Sequence, residues 1–167
     1  MDNNKILWAK TKPTAIIPSK REEDAGYDIY ACFEEDKIVI NTHETVMIPT
    51  GIASAFSPSF VAILKERGST GTKGIGQRAG IIDSGYRGEW LVPLTNHNND
   101  VLIIAKNPEK EASRNTGNPV IIYPASKAIC QALFLPLPSL ISEEISYDEL
   151  LKITSERGNG RLGSSGK

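Results

Sequence analysis

The stretch Gly-Ile-Ile-Asp-Ser-Gly-Tyr-Arg-Gly-Glu at residues 80–89 places strand-forming, turn-forming and chemically active side chains close together. Its two β-branched residues predict a strand that stops at Asp83, and the Ser-Gly pair supplies the turn that follows. If residues 91–94 form the return strand, a hairpin holds the Asp83 carboxylate close to the Tyr86 phenol. A solvent-facing carboxylate beside an aromatic ring suits general-base chemistry on a cyclic substrate, although an ordinary polar hairpin explains this run alone equally well.

The composition predicts one domain without a basic nucleic-acid-binding surface. A chain of 167 residues with 40% hydrophobic content can bury one good core. The formal net charge of −1 argues against non-specific binding of nucleic acid, so local groups must hold any anionic ligand. Two cysteines far apart and two isolated histidines make neither a disulfide framework nor a zinc site. No signal peptide or membrane-spanning run is evident, and we expect a soluble, cytoplasmic protein.

Short strand-like segments separated by Pro, Gly and Asn recur along the chain and predict an all-β fold, either a barrel or a jelly roll. One short helix is expected at residues 147–153. Long helices do not alternate with the strands, which argues against a nucleotide-binding fold of the Rossmann type. The predicted strands are residues 5–8, 30–33, 37–40, 45–48, 51–56, 60–64, 89–94, 101–105, 119–123 and 128–135.

Two segments differ in composition from the predicted core. Residues 96–118 are polar around a short apolar patch at 101–105, and we interpret them as an insertion, a hairpin with a mobile tip at residues 107–118. Residues 155–167 contain mainly glycine, serine and cations, a composition typical of a flexible tail. We therefore expect a β domain over residues 1–154 and a C-terminal flap over the rest.

Four further blocks contain groups suited to phosphate binding or catalysis. Two of them combine glycines, hydroxyls and cations, which bind phosphate oxygens. The block at 66–74 lacks the spacing of a P-loop, and the Gly-x-Gly-x-x-Gly match in the block at 157–167 is rejected because no clear strand leads into it and no helix follows. The other two place Asp28 at the entry of a strand and Gln131 within an apolar strand, where a buried amide needs partners. Taken singly, the block at 66–74 is best explained as a solvated Gly-rich turn, and the block with Asp28 as a capped turn with a core tyrosine. A flexible anion-binding flap suits the block at 157–167 better than a frayed tail, and Gln131 is either a core amide or a site group. The blocks are residues 25–31 (AGYDIYA), 66–74 (ERGSTGTKG), 127–134 (KAICQALF) and 157–167 (RGNGRLGSSGK).

Together and in this order, the five blocks resemble the five motifs of the trimeric deoxyuridine triphosphatase (dUTPase) family. Those motifs are roughly Ala-Gly-x-Asp-Leu, Arg-Ser-Gly, Gly-Val-Ile-Asp-x-x-Tyr-Arg-Gly, Arg-Ile-Ala-Gln and Arg-Gly-x-Gly-Gly-Phe-Gly-Ser-Thr-Gly. The resemblance spans about residues 25–167. It implies a jelly-roll-like β-clip domain that forms a homotrimer with active sites shared between subunits. It also implies hydrolysis of dUTP to dUMP and pyrophosphate with Mg²⁺.

The resemblance implies a role for each matching residue. Asp83 would activate the water that attacks the α-phosphorus, and Tyr86 would lie against the deoxyribose and exclude a 2′-hydroxyl. Asp28 would lie near the metal, through water. Leu162 stands where the family usually has a phenylalanine that stacks on uracil, and Arg161 replaces a glycine, so either side chain could cover the base. The implied substrate-binding residues are Arg67, Gly68, Ser69, Gly80, Ile82, Tyr86, Leu91, Gln131, Arg157, Leu162, Gly163 and Ser164.

Two other functions stay open at this point. Deoxycytidine triphosphate deaminase shares the superfamily fold but requires a catalytic glutamate in the region of Asp83, so the aspartate favours the hydrolase. A nucleotide-gated regulatory protein could instead use residues 96–118 to bind a protein partner.

Overall fold

The computed structural model describes residues 4–115, 117 and 119–160, which form twelve short strands and three short helices. The helices are α1 (Gly68–Gly71), α2 (Pro108–Arg114) and α3 (Tyr147–Lys152). The strands are β1 (Leu7–Lys10), β2 (Tyr27–Ile29), β3 (Lys37–Ile40), β4 (Thr45–Pro49), β5 (Ile52–Ala55), β6 (Phe60–Lys65), β7 (Ile75–Gln77), β8 (Ile81–Ile82), β9 (Leu91–Asn96), β10 (Val101–Ala105), β11 (Val120–Pro124) and β12 (Cys130–Pro136).

Hydrogen bonding arranges these strands in four small sheets with the orders β1-β5, β11-β10-β3, β2-β12-β6-β8 and β4-β9-β7. Every pair is antiparallel except β10 with β11. The predicted β class is therefore confirmed. The homotrimer stays a prediction.

Nine of the ten predicted strands overlap an observed strand. The prediction for residues 30–33 was wrong, because β2 lies just before that segment. Cys32 and Phe33 pack into the core without belonging to a strand, so their apolar character reflects burial and not strand formation. The short strand β7 was not predicted.

The predicted hairpin around Asp83 was also wrong. Ile82 on β8 pairs with Ala62 on β6, whereas β9 pairs with β4 and β7. The loop from Asp83 to Trp90 therefore connects two different sheets. The sequence on either side of this loop is typical of a hairpin. Local strand propensity, however, does not specify which partner a strand takes.

Residues 96–118 do not form the predicted hairpin. The apolar patch is strand β10, the centre of the sheet β11-β10-β3, with Leu102 and Ile104 almost fully buried. Since β10 and β11 run parallel, a crossover must connect them, and α2 lies in this connection. The helix is anchored by the Glu111 carboxylate, which accepts a hydrogen bond from Lys37 Nζ at 2.6 Å. Residues 116 and 118 lie outside the described part of the chain.

One hydrophobic core fills the unit that ends at Leu137. The buried Trp90 ring meets the Trp8 ring edge-on at 5.0 Å, and Phe134 meets Phe56 in the same way at 5.0 Å. Such aromatic pairs stabilise a core by about 0.5–1.5 kcal/mol beyond their buried area. Because Phe134 lies on β12, this packing also fixes the strand that contains Gln131.

The chain from Pro138 onward forms a separate unit. Its helix α3 begins with a capping box, in which Ser146 Oγ accepts from Glu149 N at 3.2 Å and the Glu149 carboxylate accepts from Ser146 N at 3.0 Å. The helix predicted at 147–153 is thus confirmed, and the predicted domain boundary at 154 stays a prediction. Among the described helices, none is long and apolar enough to cross a bilayer.

Candidate active site

A pocket of about 310 Å³ brings together residues from three of the five sequence blocks. A larger cavity, about 480 Å³, lies beside Cys32 and Lys106, but no predicted site residue lines it, so the smaller and more polar pocket is the better candidate. The lining residues of the candidate pocket are Arg21, Asp24, Ala25, Gly26, Asp28, Arg67, Gly68, Ser69 and Gln131.

Strand register explains why these blocks meet. Gln131 on β12 stands opposite Asp28 on β2 and opposite Lys65 on β6. The turn after β6 begins two residues beyond Lys65, so Arg67 reaches the same end of the sheet. The Arg67 guanidinium contacts the Asp28 carboxylate at 2.8 Å.

The phosphate-binding turn predicted at residues 67–69 is held in shape by Thr70, whose side chain is buried. Arg67 N donates to Thr70 Oγ1 at 3.0 Å, and the same hydroxyl donates to Arg67 O at 3.0 Å. Arg67 Nη1 donates to Ser69 Oγ at 3.3 Å. These contacts fix a guanidinium and a hydroxyl at the mouth of the pocket, where both can bind an anion.

Gln131 is fixed in the pocket from two sides. Its Nε2 donates to Glu66 O at 2.9 Å, and its side chain lies directly over Gly26. A Cβ at position 26 would stand 2.5 Å from Gln131 Oε1, which explains why this position has no side chain. Backbone N–H groups of Glu66 itself and of Gln77 lower the pKa of the Glu66 carboxyl, which therefore stays ionised beside this turn.

The loop that contains Asp83 has a defined structure of its own. Tyr86 N donates to Asp83 O at 3.0 Å, and the Tyr86 hydroxyl donates to Glu89 O at 3.0 Å. Arg87 Nη1 donates to Ser84 O at 2.6 Å and to Tyr86 O at 3.0 Å, which closes the turn. The Asp83 side chain is left exposed to solvent.

Within one chain, Asp83 lies away from the pocket. The outer strands β8 and β2 are three strand spacings apart in their sheet, roughly 14 Å. Ile82 pairs at Ala62 on β6, three residues from the level of Gln131, which adds roughly 10 Å along the strand. In a flat sheet these two offsets would place Ile82 about 17 Å from Asp28, more than one phosphate group can span.

The remaining predicted site residues lie in three places. Gly80 immediately precedes β8, and its carbonyl accepts from Leu64 N at 2.7 Å. Leu91 begins β9 and is half-exposed. Arg157 belongs to the second unit, where its Nε donates to Gly160 O at 3.3 Å. The predicted residues Leu162, Gly163 and Ser164, and the alternative Arg161, lie outside the described residues.

Sequence reasoning missed Arg21 and Asp24, although both line the pocket. The signal available was the charged run Lys-Arg-Glu-Glu-Asp directly before the Ala-Gly block at residue 25. Such a run is usually a solvated surface, so composition alone did not distinguish it from the neighbouring loops.

The family model for dUTPase matches residues 12–108, more than half of the chain. The chain belongs to the dUTPase family. It is 32% identical over 146 residues to the deoxyuridine 5′-triphosphate nucleotidohydrolase of Neisseria meningitidis serogroup A, covering 85% of this chain and 81% of the relative. With the corresponding protein of Leptospira interrogans it shares 36% identity over 104 residues, covering 60% of this chain and 71% of the relative.

Solved structures with the same fold include a Staphylococcus bacteriophage 80alpha dUTPase with dUpNHpp. It matches this dUTPase-family chain with a TM-score of 0.73 and 20% identity, and the match covers 98% of this chain and 99% of the phage chain. The native EIAV dUTPase matches with a TM-score of 0.61 and 23% identity over 86% and 98% of the two chains. A mutant dUTPase from phage phi11 of S. aureus, described with a structural Mg(II) ion, matches with a TM-score of 0.67 and 18% identity. The match covers 87% of this chain and 99% of the phage chain.

Proposed function

We propose that this chain hydrolyses dUTP to dUMP and pyrophosphate. The enzyme class, dUTP diphosphatase, follows from its family. The observation that best supports the reaction is the meeting of Asp28, Arg67, Ser69 and Gln131 in one polar pocket, with an exposed Asp83 on a separate ordered loop. A triphosphate needs cations and donors along its phosphates and a base beside its α-phosphorus, and these two regions supply them.

The pocket would bind the phosphate chain. Arg67 offers a planar guanidinium that can form two parallel hydrogen bonds to phosphate oxygens. Ser69 adds a hydroxyl donor, and the Gly68 backbone N–H is accessible because this residue has no side chain. Gln131 offers an amide donor from the adjacent strand.

Asp83 would act as the general base. It accepts a proton from a water molecule while the water oxygen forms a bond to the α-phosphorus. The bond between that phosphorus and the bridging oxygen breaks, and pyrophosphate leaves with the electron pair. Because free water is a very weak acid and a poor nucleophile, a positioned carboxylate is expected to contribute about 10²–10⁴ in rate.

Selection of a deoxyuridine nucleotide would come from the loop and the strands beside it. The Tyr86 ring is folded back over Gly88 and held by Glu89 O, so it can lie against a deoxyribose and leave no space for a 2′-hydroxyl. Backbone groups near Gly80, Ile82 and Leu91 would pair with uracil. Cytosine would leave such donors and acceptors unpaired, at a cost of about 1–3 kcal/mol each.

Mg²⁺ fits this pocket as an ion brought by the substrate. Among the described residues no group of three or more His, Cys, Asp or Glu side chains converges, but the Asp28 carboxylate lies on the pocket wall. Mg²⁺ is commonly held by one or two carboxylates together with substrate phosphates. Asp28 would hold it through water, and the ion would supply charge neutralisation along the phosphates.

We further propose that the active site is completed in a homotrimer. The position of Asp83 beyond β8, at the opposite edge of the sheet from β2 and its Asp28, supports a site completed by a second subunit. Exposed Leu140 and Ile141 in the second unit, 83% and 96% accessible, offer apolar surface to a neighbouring subunit. Arg157 would then bind the terminal phosphate, while Leu162 or Arg161 covers the base, and Gly163 and Ser164 close the flap.

Pyrophosphate release from dUTP, dCTP, dTTP and UTP with Mg²⁺ tests the reaction. Release from dUTP alone is expected, with turnover about 10²–10⁴ lower in Asp83→Asn. Asp36→Asn, a change at another exposed aspartate, is the matched control and should keep full activity. No release from any nucleotide, or normal turnover in Asp83→Asn, would contradict the proposal. Ammonia release from dCTP would favour the deaminase.

Mixing two inactive variants tests the shared site. Asp83→Asn and Arg67→Ala each damage one part, so neither trimer should turn over dUTP at more than a small fraction of the wild-type rate. After unfolding and refolding together in equal amounts, about a quarter of the sites would receive both intact parts if they come from different subunits. No recovery of activity in the mixture would contradict the sharing.

A regulatory role through residues 96–118 is a second candidate. A structure of the 80alpha dUTPase is described with the conclusion that phage dUTPases control transfer of virulence genes by a proto-oncogenic G protein-like mechanism. In this chain α2 presents the exposed side chains of Glu109, Lys110 and Ser113 from an anchored crossover. Replacing those three with alanine should abolish capture of a partner protein without loss of dUTP hydrolysis, and unchanged capture would exclude this surface.

A further inference from the structure

Arg21 lies on the wall of the candidate pocket, although it belongs to none of the five sequence blocks. The loop that contains it is closed at its base, where Asp28 N donates to Ser19 O at 2.9 Å. Arg21 is therefore part of an ordered loop that begins and ends beside the same pocket. Its own side chain is 88% exposed, so a ligand can reach the guanidinium.

Asp24 fixes the direction of the Arg21 side chain. The guanidinium donates to the two carboxylate oxygens at 2.8 and 2.9 Å, a two-pronged contact. Arg21 N donates to the same carboxylate at 3.3 Å, and Asp24 N donates to Arg21 O at 3.2 Å. The hydrogen bond from Arg21 lowers the pKa of the Asp24 carboxyl, so the pair stays ionised near neutral pH. An exposed ion pair adds little stability, so the main effect of these contacts is orientation.

The pocket thus contains two arginines, each already paired with one carboxylate: Arg67 with Asp28, and Arg21 with Asp24. They are the cationic side chains among the described lining residues. A triphosphate with its Mg²⁺ still has negative charge distributed over several oxygens. One guanidinium can pair with only one or two phosphate groups, which leaves the second available for the rest of the chain.

We propose that Arg21 is a second phosphate-binding arginine, which contacts the polyphosphate chain and contributes to preference for a triphosphate over a monophosphate. This inference rests on the proposed function, in which the pocket takes the phosphates. Asp24 keeps the planar guanidinium pre-oriented, so that little side-chain freedom is lost when phosphate oxygens bind. Arg21 is therefore a specificity-determining residue that acts by direct contact.

Isothermal titration calorimetry with dUpNHpp, inorganic tripolyphosphate and dUMP, each with Mg²⁺, tests this role. Arg21→Ala should weaken binding of the first two about 5- to 20-fold and change dUMP binding by less than about twofold, because one charge-assisted contact is lost. Arg21→Lys should be intermediate, since it keeps the charge and loses the two-pronged geometry. Lys10→Ala, which removes an exposed cation that does not line the pocket, is the matched control and should bind as wild type.

Equal affinity of wild type and Arg21→Ala for both polyphosphate probes would overturn the inference. A parallel loss for dUMP would also overturn it, because the effect would then not depend on the phosphate chain. The tripolyphosphate titration keeps the two proposals separate. A wild-type protein that fails to hydrolyse dUTP would contradict the proposed function, whereas Arg21-dependent binding of tripolyphosphate would still support the arginine's role. Wild type that binds no tripolyphosphate would contradict that role.

Discussion

Replacement of Gly26 with alanine should damage the candidate pocket through Gln131. The new Cβ would stand 2.5 Å from Gln131 Oε1 and 2.9 Å from Gln131 Cβ. Rotation of the amide can relieve the first clash but not the second, because Cβ is fixed to the backbone of β12. Overpacking of this kind costs about 1–3 kcal/mol, and the reduced freedom of the unfolded chain returns about 0.4–1 kcal/mol. The net loss in free energy of unfolding is therefore between about 0 and 2.6 kcal/mol.

Activity should fall further than stability. Displacement of the Gln131 side chain breaks its hydrogen bond to Glu66 O, now 2.9 Å long, and moves the amide donor away from the phosphate-binding turn. Loss of one hydrogen bond to a charged phosphate corresponds to about 1.5–3 kcal/mol. The expected fall in kcat/KM for dUTP is therefore about 10- to 150-fold, measured as pyrophosphate release well below the unfolding temperature.

Urea unfolding at one fixed protein concentration measures the stability term, since the stability of the proposed trimer would depend on concentration. Gly117→Ala is the matched control, because a Cβ there meets nothing within 4 Å; it should leave kcat/KM unchanged and raise the free energy of unfolding by at most about 0.4–1 kcal/mol. In a double-mutant cycle, Gly26→Ala should destabilise Gln131→Ala less than it destabilises wild type, because the shortened side chain removes the clash with the amide and keeps only the one with Cβ. Wild-type kcat/KM in Gly26→Ala, or strict additivity in the cycle, would refute the reasoning.

Three more outcomes are expected from the same structure. Leu64→Ala should lower the free energy of unfolding by about 2–5 kcal/mol in urea titrations, because Leu64 is 1% exposed; a loss below about 1 kcal/mol would contradict its place in the core. Gly88→Ala should push the Tyr86 ring aside, since a Cβ would stand 2.4 Å from its hydroxyl, and so reduce the ratio of kcat/KM for dUTP over UTP; an unchanged ratio would exclude Tyr86 as the sugar selector. Burial raises the pKa of the Cys130 thiol, so above about pH 8.5 the unfolded chain releases a proton that the folded chain keeps. Wild type should consequently lose more stability between pH 8 and pH 10 than Cys130→Ala, and equal losses would contradict this linkage.

Local chemistry made several features of this protein readable from its residues alone. Alternation of β-branched residues with Gly, Pro and Asn gave most strand positions, and the capping box at Ser146 begins the one helix that was predicted. The chemical character of the site was also readable, because Arg67, Ser69 and Gln131 are unusual in their local contexts. Family membership followed from five short blocks in order, not from any single one.

Which segments meet depends on long-range packing, and no local pattern predicted it. Strand β8 pairs with β6 and not with β9, and β10 and β11 run parallel across α2, because pairing depends on burial summed over the whole core and not on the residues beside each strand. The same holds for the pocket. In sequence, Arg21 is one charge in a solvated run, and only strand register places its loop beside Gln131. Asp83 follows β8, which lies at the opposite edge of the sheet from β2. Such contacts join residues far apart in the chain, so no local pattern encodes them.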